Sequence, residues 1–537
     1  MNKNSQLGPF SSVPFLNKPC WGDPDASICQ SLCKSFFQAI YRAFSTPGTT
    51  SQRALSQRAL SQRALSQRAL SCWLVSAAMI STCGLARVSN GQEIDSGSVV
   101  ANADTSDASH VRDSWPRFLG KTYDGVVPAS SQPDLKIDWT AQPKLLWQLA
   151  VDDGYGIGSV DADGNYYHFD SPQGTAERLR CIDMKTGAVR WTQTQELAYR
   201  DMYGYETGPR GSATLVDDKV VTMGVGGQLT CRSRADGALI WSVDTSEKYG
   251  VVTNFFGVGG SPLVLGDLVI VMVGGSPAED QKIAPGRLDR VSPNGSAMVA
   301  FRIKDGTEVW KCGDDLASYS SPRPIKVGGQ TLVLLFARDH LLAVDPAQGN
   351  VRWKHFHRAE INESVNAMVP IVDRDLVFIS ECYELGSVLL KVTGQSAKVQ
   401  WEDPANNRRK QAMRVHWSNP ILVDGHLYGC SGRNAPDSDF RCVEFETGKV
   451  KWQDSRRIRS SVTAVDNHLL VLEERGLVQV VRPNRDKLDV VTEWDFHDAQ
   501  DEWPRLNYPC WAAPVVVGNQ LLIRGNTKVL CLALQTL

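Results

Sequence analysis

From about residue 140 onward, short apolar runs alternate with Gly-, Asp-, Asn- or Pro-containing turns, a pattern that predicts strands and not helices. One strand in each unit ends on a tryptophan just after a turn: Trp147, Trp191, Trp241, Trp310, Trp353, Trp401, Trp452 and Trp494. The intervals are 44, 50, 69, 43, 48, 51 and 42 residues. The text before the tryptophan recurs, as Lys185-Thr186-Gly187-Ala188-Val189-Arg190-Trp191, Asp305-Gly306-Thr307-Glu308-Val309-Trp310 and Glu446-Thr447-Gly448-Lys449-Val450-Lys451-Trp452. A Thr-Gly or Asp-Gly turn running into an alternating strand is a hairpin signal. Earlier in each unit a small residue or proline opens a second apolar run, as in Gly260-Ser261-Pro262-Leu263-Val264-Leu265, Ser321-Pro322-Arg323-Pro324-Ile325, Asn419-Pro420-Ile421-Leu422-Val423 and Ala513-Pro514-Val515-Val516-Val517. Tight turns such as Asp424-Gly425 or Gly518-Asn519 then lead into another strand.

Each unit therefore reads as four short antiparallel strands, and such units at this spacing are propeller blades. After Trp494 only three strands remain, near 512–517, 520–524 and 528–534. The fourth is supplied by Lys144-Leu145-Leu146-Trp147-Gln148-Leu149, ahead of the first complete blade. The expected fold is all-β: an eight-bladed β-propeller of four-stranded antiparallel blades, closed by an N-terminal strand joining the C-terminal blade. Sharing that blade removes exposed sheet edges. The long interval before Trp310 reads as an insertion at about 275–295. The eight tryptophans read as structural, docking between blades.

The propeller is expected over 113–537. Residues 1–71 read as a low-complexity extension that includes four copies of Ser-Gln-Arg-Ala-Leu at 51–70, and 87–112 as a Ser/Asp-rich linker. Between them, Cys72 to Ala86 is mostly apolar, follows four arginines, and ends with Gly84 and Ala86 at the −3 and −1 places. That is a secretory signal pattern, too short for the roughly 20 residues of a membrane span. An uncleaved anchor is the alternative, as is a lipoprotein signal at Cys83, for which Thr82 is a poor preceding residue. The expected location is periplasmic or extracellular, with membrane association through 72–86 if the segment is not cleaved.

Charge sharpens this. The chain has 57 basic and 59 acidic residues. Residues 1–86 carry eight Lys/Arg against two Asp, a net +6, which leaves −8 on the rest of a chain whose total is −2. A mildly acidic folded part has no footprint for phosphate backbones, so nucleic acid is not an expected partner. The 13 cysteines show no zinc spacing. Cys181, Cys231, Cys442 and Cys531 occupy one repeat position and read as core fillers, and a Cys430–Cys442 disulfide is an open alternative.

With these repeats, residues 115–537 resemble the pyrroloquinoline-quinone (PQQ)-like propeller family, whose hallmark is the Thr-Gly-x-x-x-Trp blade ending. Trp115-Pro116-Arg117-Phe118-Leu119-Gly120, Gly208-Pro209-Arg210-Gly211-Ser212 and Phe256-Gly257-Val258-Gly259-Gly260-Ser261-Pro262 also resemble stretches of secreted members from planctomycete-type bacteria. The resemblance implies a fold and leaves function open, because the family holds both quinoprotein dehydrogenases and outer-membrane assembly scaffolds. The dehydrogenases commonly stack PQQ against a vicinal Cys-Cys ring and bind Ca²⁺ with Glu, Asn and Asp. This chain has no adjacent cysteines, and that ligand set has no matching motif here.

Long irregular segments, about 170–178, 200–211, 247–260, 275–295 and 431–439, fall in the connections that emerge on one face of the ring. Polar and aromatic residues just before the innermost strands point toward the channel mouth: Tyr205, Glu206, Arg210, Asn254, Tyr319, Asn366, His416, Trp417, Arg459 and Trp511. They read as a ligand funnel, with Arg210 as anion partner, Glu206 as cation partner and Trp417 or Trp511 as stacking surface. Alternatively, Glu206 and Arg210 pair with each other and the aromatics fill the channel. Gly257-Val258-Gly259-Gly260 precedes a strand, so it offers no helix N-terminus to a phosphate. His355 and His357 read as solvated, and no nucleophile motif stands out. The expected function is a non-catalytic binding or scaffold propeller, taking a protein or small molecule at the decorated face. The alternatives are a quinoprotein oxidoreductase using PQQ and calcium on alcohols or sugars, and a polysaccharide- or surface-binding module.

Overall fold

A computed structural model describes residues 114–127, 136–497 and 504–537, and the backbone of Val100–Ala101. The extension, the pentad tract and the apolar stretch at 72–86 lie outside the described residues.

Eight antiparallel sheets form the ring. Seven are continuous in the chain: blade 1 (159–196), blade 2 (214–244), blade 3 (263–312), blade 4 (323–356), blade 5 (371–402), blade 6 (421–454) and blade 7 (460–495). Blade 8 combines Val515–Val517, Gln520–Arg524 and Lys528–Ala533 with the N-terminal strand Lys144–Ala150. Trp147 pairs with Cys531 in that closure, as the spacing predicts. Val100–Ala101, inside the expected linker, adds a fifth strand beside Lys144–Ala150. The insertion before Trp310 joins Leu268–Met272 to Met298–Arg302 within blade 3. The α-helix Thr245–Tyr249 is one turn long, and no helix among the described residues is long and apolar enough to cross a membrane.

The blade tryptophans explain their own spacing. In each blade the Trp lies opposite a small or apolar third-strand residue: Cys181 for Trp191, Cys231 for Trp241, Ala300 for Trp310, Ala343 for Trp353 and Cys442 for Trp452. In seven of the eight blades its indole N–H donates to a carbonyl just past the third strand of the next blade, Trp494 being the exception. Trp191 reaches Arg234 O at 3.1 Å, Trp241 Ile303 O at 2.9 Å, Trp310 Pro346 O at 2.9 Å and Trp401 Phe445 O at 3.0 Å. In four of these contacts the turn glycine of the next blade packs against the same indole: Gly237 on Trp191, Gly306 on Trp241, Gly349 on Trp310 and Gly448 on Trp401. A Cβ on Gly306 would sit 2.8 Å from the Trp241 ring, and Gly306 has φ +72°. The Thr-Gly-x-x-x-Trp text is thus one half of two successive inter-blade contacts.

The small residues before the innermost strands serve the same stacking nearer the axis. A Cβ on Gly211 would come within 2.6 Å of Gly260 O, and one on Gly260 within 2.5 Å of Ser320 O. The Ser261 and Ser321 hydroxyls accept from Ser212 N at 2.9 Å and Ser261 N at 2.8 Å. Backbones of adjacent blades can approach this closely only where side chains are absent or short. Cys430 faces Phe440 and Cys442 faces Tyr428 across the sheet, and both thiols are buried and free.

Candidate functional site

Small residues precede the innermost strands, and a cavity of about 240 Å³ remains at the centre of the ring, lined by residues leading into those strands. Residues 114–127 cross one end of it. Trp115 bridges Val160 of blade 1, Pro116 O accepts from Leu215 N of blade 2, and Val127 N donates to Ala464 O of blade 7. These partners lie within the innermost strands, whereas the funnel residues precede them. Trp115, Phe118 and Leu119 therefore floor the cavity, and the loops surround its open mouth.

Seven of the ten anticipated residues line the cavity together: Tyr205, Arg210, Tyr319, His416, Trp417, Arg459 and Trp511. Phe256 and Tyr155 complete an aromatic wall, with Trp417–Trp511 centroids at 5.5 Å, Tyr155–Trp511 at 4.9 Å, Tyr205–Phe256 at 5.4 Å and Phe256–Tyr319 at 5.6 Å. Tyr203, Tyr205 and Tyr508 are about half exposed at the rim.

Two guanidiniums are built into this wall. Arg210 donates through Nε to Phe256 O at 3.0 Å and pairs through Nη2 with the buried Asp201 at 3.1 Å, its guanidinium 4.9 Å from the Tyr155 ring. Its side chain is 9 % exposed, and its buried Nη1 has no partner. Arg459 lies 4.8 Å from the Trp511 ring and 5.8 Å from that of Trp417. Its Nε and Nη2 are taken by Glu474 Oε2 at 2.8 and 2.7 Å, and the same oxygen accepts from Trp511 Nε1 at 3.0 Å. Burial first, then Arg459 and Arg433, pushes the His416 imidazolium down to about 3, so this ring is neutral. Its Nδ1 is also buried without a partner. No Asp or Glu lines the cavity among the described residues.

The other three anticipated residues turn toward the backbone. Glu206 accepts from Gly154 N at 2.6 Å, and burial raises its carboxyl above the ordinary value. It does not pair with Arg210, whose carboxylate partner is Asp201, so that alternative is corrected. Asn254 caps Phe255 N at 2.8 Å, and Asn366 Nδ2 serves three carbonyls, of Ala337, Arg338 and His357. His357 is another correction: it is buried, not solvated, because its ring packs against Phe336 with Nε2 3.1 Å from Gly386 O.

Tyr155 was not anticipated, although it occupies in blade 1 the slot that precedes the innermost strand in every blade. The floor residues were visible only as a lead-in motif. Asp201 and Glu474 carried no sequence signal that separated them from other carboxylates.

The family described as outer membrane protein assembly factor BamB, a PQQ-repeat family, matches residues 52–193 and 194–454. Curated relatives include uncharacterized protein RP232 of Rickettsia prowazekii (strain Madrid E). It is 20% identical over 205 residues, which are 37% of this chain and 47% of that protein. A Rickettsia conorii protein, RC0314, is 23% identical over 38% of this chain and 48% of its own length. The chain spans about half the length of the curated relatives it matches. Among solved structures, a europium-containing methanol dehydrogenase is similar with TM-score 0.58 at 11% identity, covering 79% of this chain and 99% of that one. The quinohemoprotein alcohol dehydrogenase of Comamonas testosteroni gives 0.55 at 13% identity, covering 78% and 80%. These likenesses show the fold alone. With its eight stacked blades and a family match over well more than half its length, the chain belongs to the PQQ-like β-propeller family.

Proposed function

We propose that this chain is a non-catalytic binding propeller of the extracytoplasmic space, which captures its ligand in the floored channel at the centre of the ring. The observation that carries the reading is the composition of the cavity among the described residues: aromatic walls, two arginines and no carboxylate. Such a surface can stack, desolvate and orient a ligand, and among the described residues it presents no carboxylate to act as general base. The family's description as an outer membrane assembly factor, together with the signal-like segment, supports a location outside the cytoplasm.

The quinoprotein alternative requires Ca²⁺, a hard cation that takes six to eight oxygen ligands, with carboxylates prominent among them. The nearby carboxylates are otherwise engaged, Glu474 by Arg459 and Trp511, Asp201 by Arg210 and Glu206 by Gly154 N. The residues present do not fit that group.

The test is a titration of the purified chain with PQQ and Ca²⁺, followed by dye reduction with simple alcohols and sugars. Saturable binding with turnover would overturn the proposal. A thermal-shift screen against small molecules, giving a stabilising ligand and no turnover, is the expected result.

A further inference from the structure

We infer that the decorated face of the ring docks on an anionic lipid surface, with the loop that joins blades 5 and 6 as its contact. This surface lies outside the channel and does not depend on what the channel takes.

The loop is opposite in sign to the chain that carries it. Residues 87–537 are net −8, yet residues 403–420 hold four Lys/Arg against one Asp, a net +3. Of the four, Arg414 is buried and held by Asp437 at 2.8 Å. The other three form the run Arg408-Arg409-Lys410, and all are exposed. Arg408 reaches the same Asp437 at 3.5 Å with its side chain 61 % exposed, and no carboxylate pairs with Arg409 or Lys410 among the described residues. Arg433, on the connection between the second and third strands of blade 6, is exposed beside them. Its backbone N–H faces Asp437, and its guanidinium lies 5.2 Å from the Tyr383 ring. One carboxylate cannot neutralise this set, and like charges at adjacent positions repel until an anion approaches.

The excess is local. The insertion at 275–295, on the same face, carries three residues of each sign. Solubility is served by either sign, and the rest of the folded chain uses the negative one. A concentrated positive tip therefore points to a negative partner. The chain's own extension is the wrong occupant, because residues 1–86 are net +6.

Two features favour a lipid surface over an acidic protein. The exposed basic residues stand on loop tips and line none of the principal cavities among the described residues. The same face also exposes Met202, Tyr203, Tyr205 and Tyr508, each about half accessible. Tyrosine is enriched where proteins meet the membrane–water interface, and clustered basic side chains are drawn to anionic headgroups. Guanidiniums and phenols raised on the loops of one face suit a flat, negatively charged partner.

The experiment measures binding of the full-length chain to vesicles of phosphatidylcholine alone and of phosphatidylcholine mixed equally with phosphatidylglycerol. Each basic residue near an anionic leaflet contributes about fivefold in partitioning, so Arg409→Gln combined with Lys410→Gln should weaken binding to the mixed vesicles roughly thirtyfold. Lys185→Gln combined with Lys449→Gln, in exposed turns of the opposite face, should leave it unchanged. Because residues 1–86 are themselves basic, a local readout is needed as well. Hydrogen exchange of the 404–410 backbone should slow on mixed vesicles and not on phosphatidylcholine alone. If the loop variant binds as tightly as the parent chain, or exchange at 404–410 ignores the mixed vesicles, the inference falls. Slowing by polyglutamate but not by mixed vesicles would assign the loop to an acidic protein and overturn the lipid reading. The two substituted side chains are exposed and unpaired, and matching melting curves for variant and parent confirm that the fold is intact.

Discussion

Replacing blade tryptophans by phenylalanine, one at a time, separates hydrogen bonding from packing, because Trp494 lacks the bond its counterparts make. Its Nε1 is buried without a partner. The reason lies in ring closure. The acceptor for the other tryptophans sits just past the third strand of the next blade, where the chain turns into the fourth. In blade 8 those two strands come from opposite ends of the chain. The equivalent carbonyl, Leu534 O, instead accepts from Asn519 Nδ2 at 3.4 Å. Trp310 and Trp353 are suitable references, since they bond Pro346 O at 2.9 Å and Thr393 O at 3.1 Å. Their exposures of 9 % and 8 % compare with 3 % for Trp494. The smaller ring loses about 1 kcal/mol of burial at any of the three sites. Trp310→Phe and Trp353→Phe also leave a carbonyl without its donor, for a total of roughly 2–3 kcal/mol. Trp494→Phe removes an unsatisfied donor, which offsets about 1 kcal/mol and leaves it near neutral. For a domain of about 420 residues, 1 kcal/mol corresponds to roughly 1 °C in Tm, so denaturant midpoints resolve the difference better than melts. The assay is urea unfolding followed by near-UV circular dichroism and fluorescence, with coincident transitions required. Packing alone ranks Trp494→Phe as the costliest, being the most buried. That ranking, if observed, would refute the reasoning.

Acid sensitivity follows from two buried imidazoles. Burial pushes His357 down to about 4 and, with two neighbouring arginines, His416 down to about 3. Both folded values lie below the ordinary 6.5, so the stability involved is fully present above pH 6.5 and is lost as pH falls through those values. His357 accounts for up to about 3 kcal/mol of that loss near pH 4. Unfolding midpoints at pH 7 and 4.5 should differ less in His357→Gln than in the parent chain. Histidine-labelled NMR should show neither ring titrating between pH 5 and 8. Gly306→Ala should cost about 2–3 kcal/mol, since its Cβ meets the Trp241 ring at 2.8 Å with φ at +72°. Gly266→Ala, at φ +60° with open space around it, should cost only about 1 kcal/mol. Equal denaturation midpoints for the two would show that the indole contact does not matter. Arg524→Met should destabilise by roughly 2–4 kcal/mol, because its guanidinium donates from blade 8 to Gly156 O and Asp152 O ahead of blade 1. An unchanged midpoint would remove those bonds from ring closure.

The blade count, the shared blade and the role of the tryptophans were legible because each blade solves the same local problem. A Gly that must lie on an indole and a Trp that must reach the next turn recur at fixed spacing, and that spacing is visible in one sequence. The funnel was partly legible for the same reason: the slot before the innermost strand is equivalent in every blade, which put Arg210, Trp417, Arg459 and Trp511 on one wall. Direction within that slot was not legible. Glu206 and Asn366 sit in it but turn to Gly154 N and to three carbonyls, because unpaired backbone groups lie on that side. The cavity floor left no periodic trace, since Trp115 and Val126 find their partners at Val160 and Ala464, far along the chain.

The cavity itself is a consequence of how the ring is held together. Blades that must bring backbones together at Gly211, Gly260 and their equivalents cannot also send large side chains toward the axis from those positions. The space is closed from below by a segment outside the repeat, and it is walled from above by residues of the inter-blade loops. Floor and wall are thus free of the constraints that fix Trp, Gly and Ser in the blades. Arg210 and Arg459 stand out against that background, because each requires its own buried carboxylate, Asp201 or Glu474, to be held in place. A propeller that needed only to fill its channel could do so with apolar side chains at no electrostatic cost, since a buried ion pair is weak evidence for stability. Two such pairs bordering one aromatic cavity are what the proposed binding function requires and what channel filling alone does not.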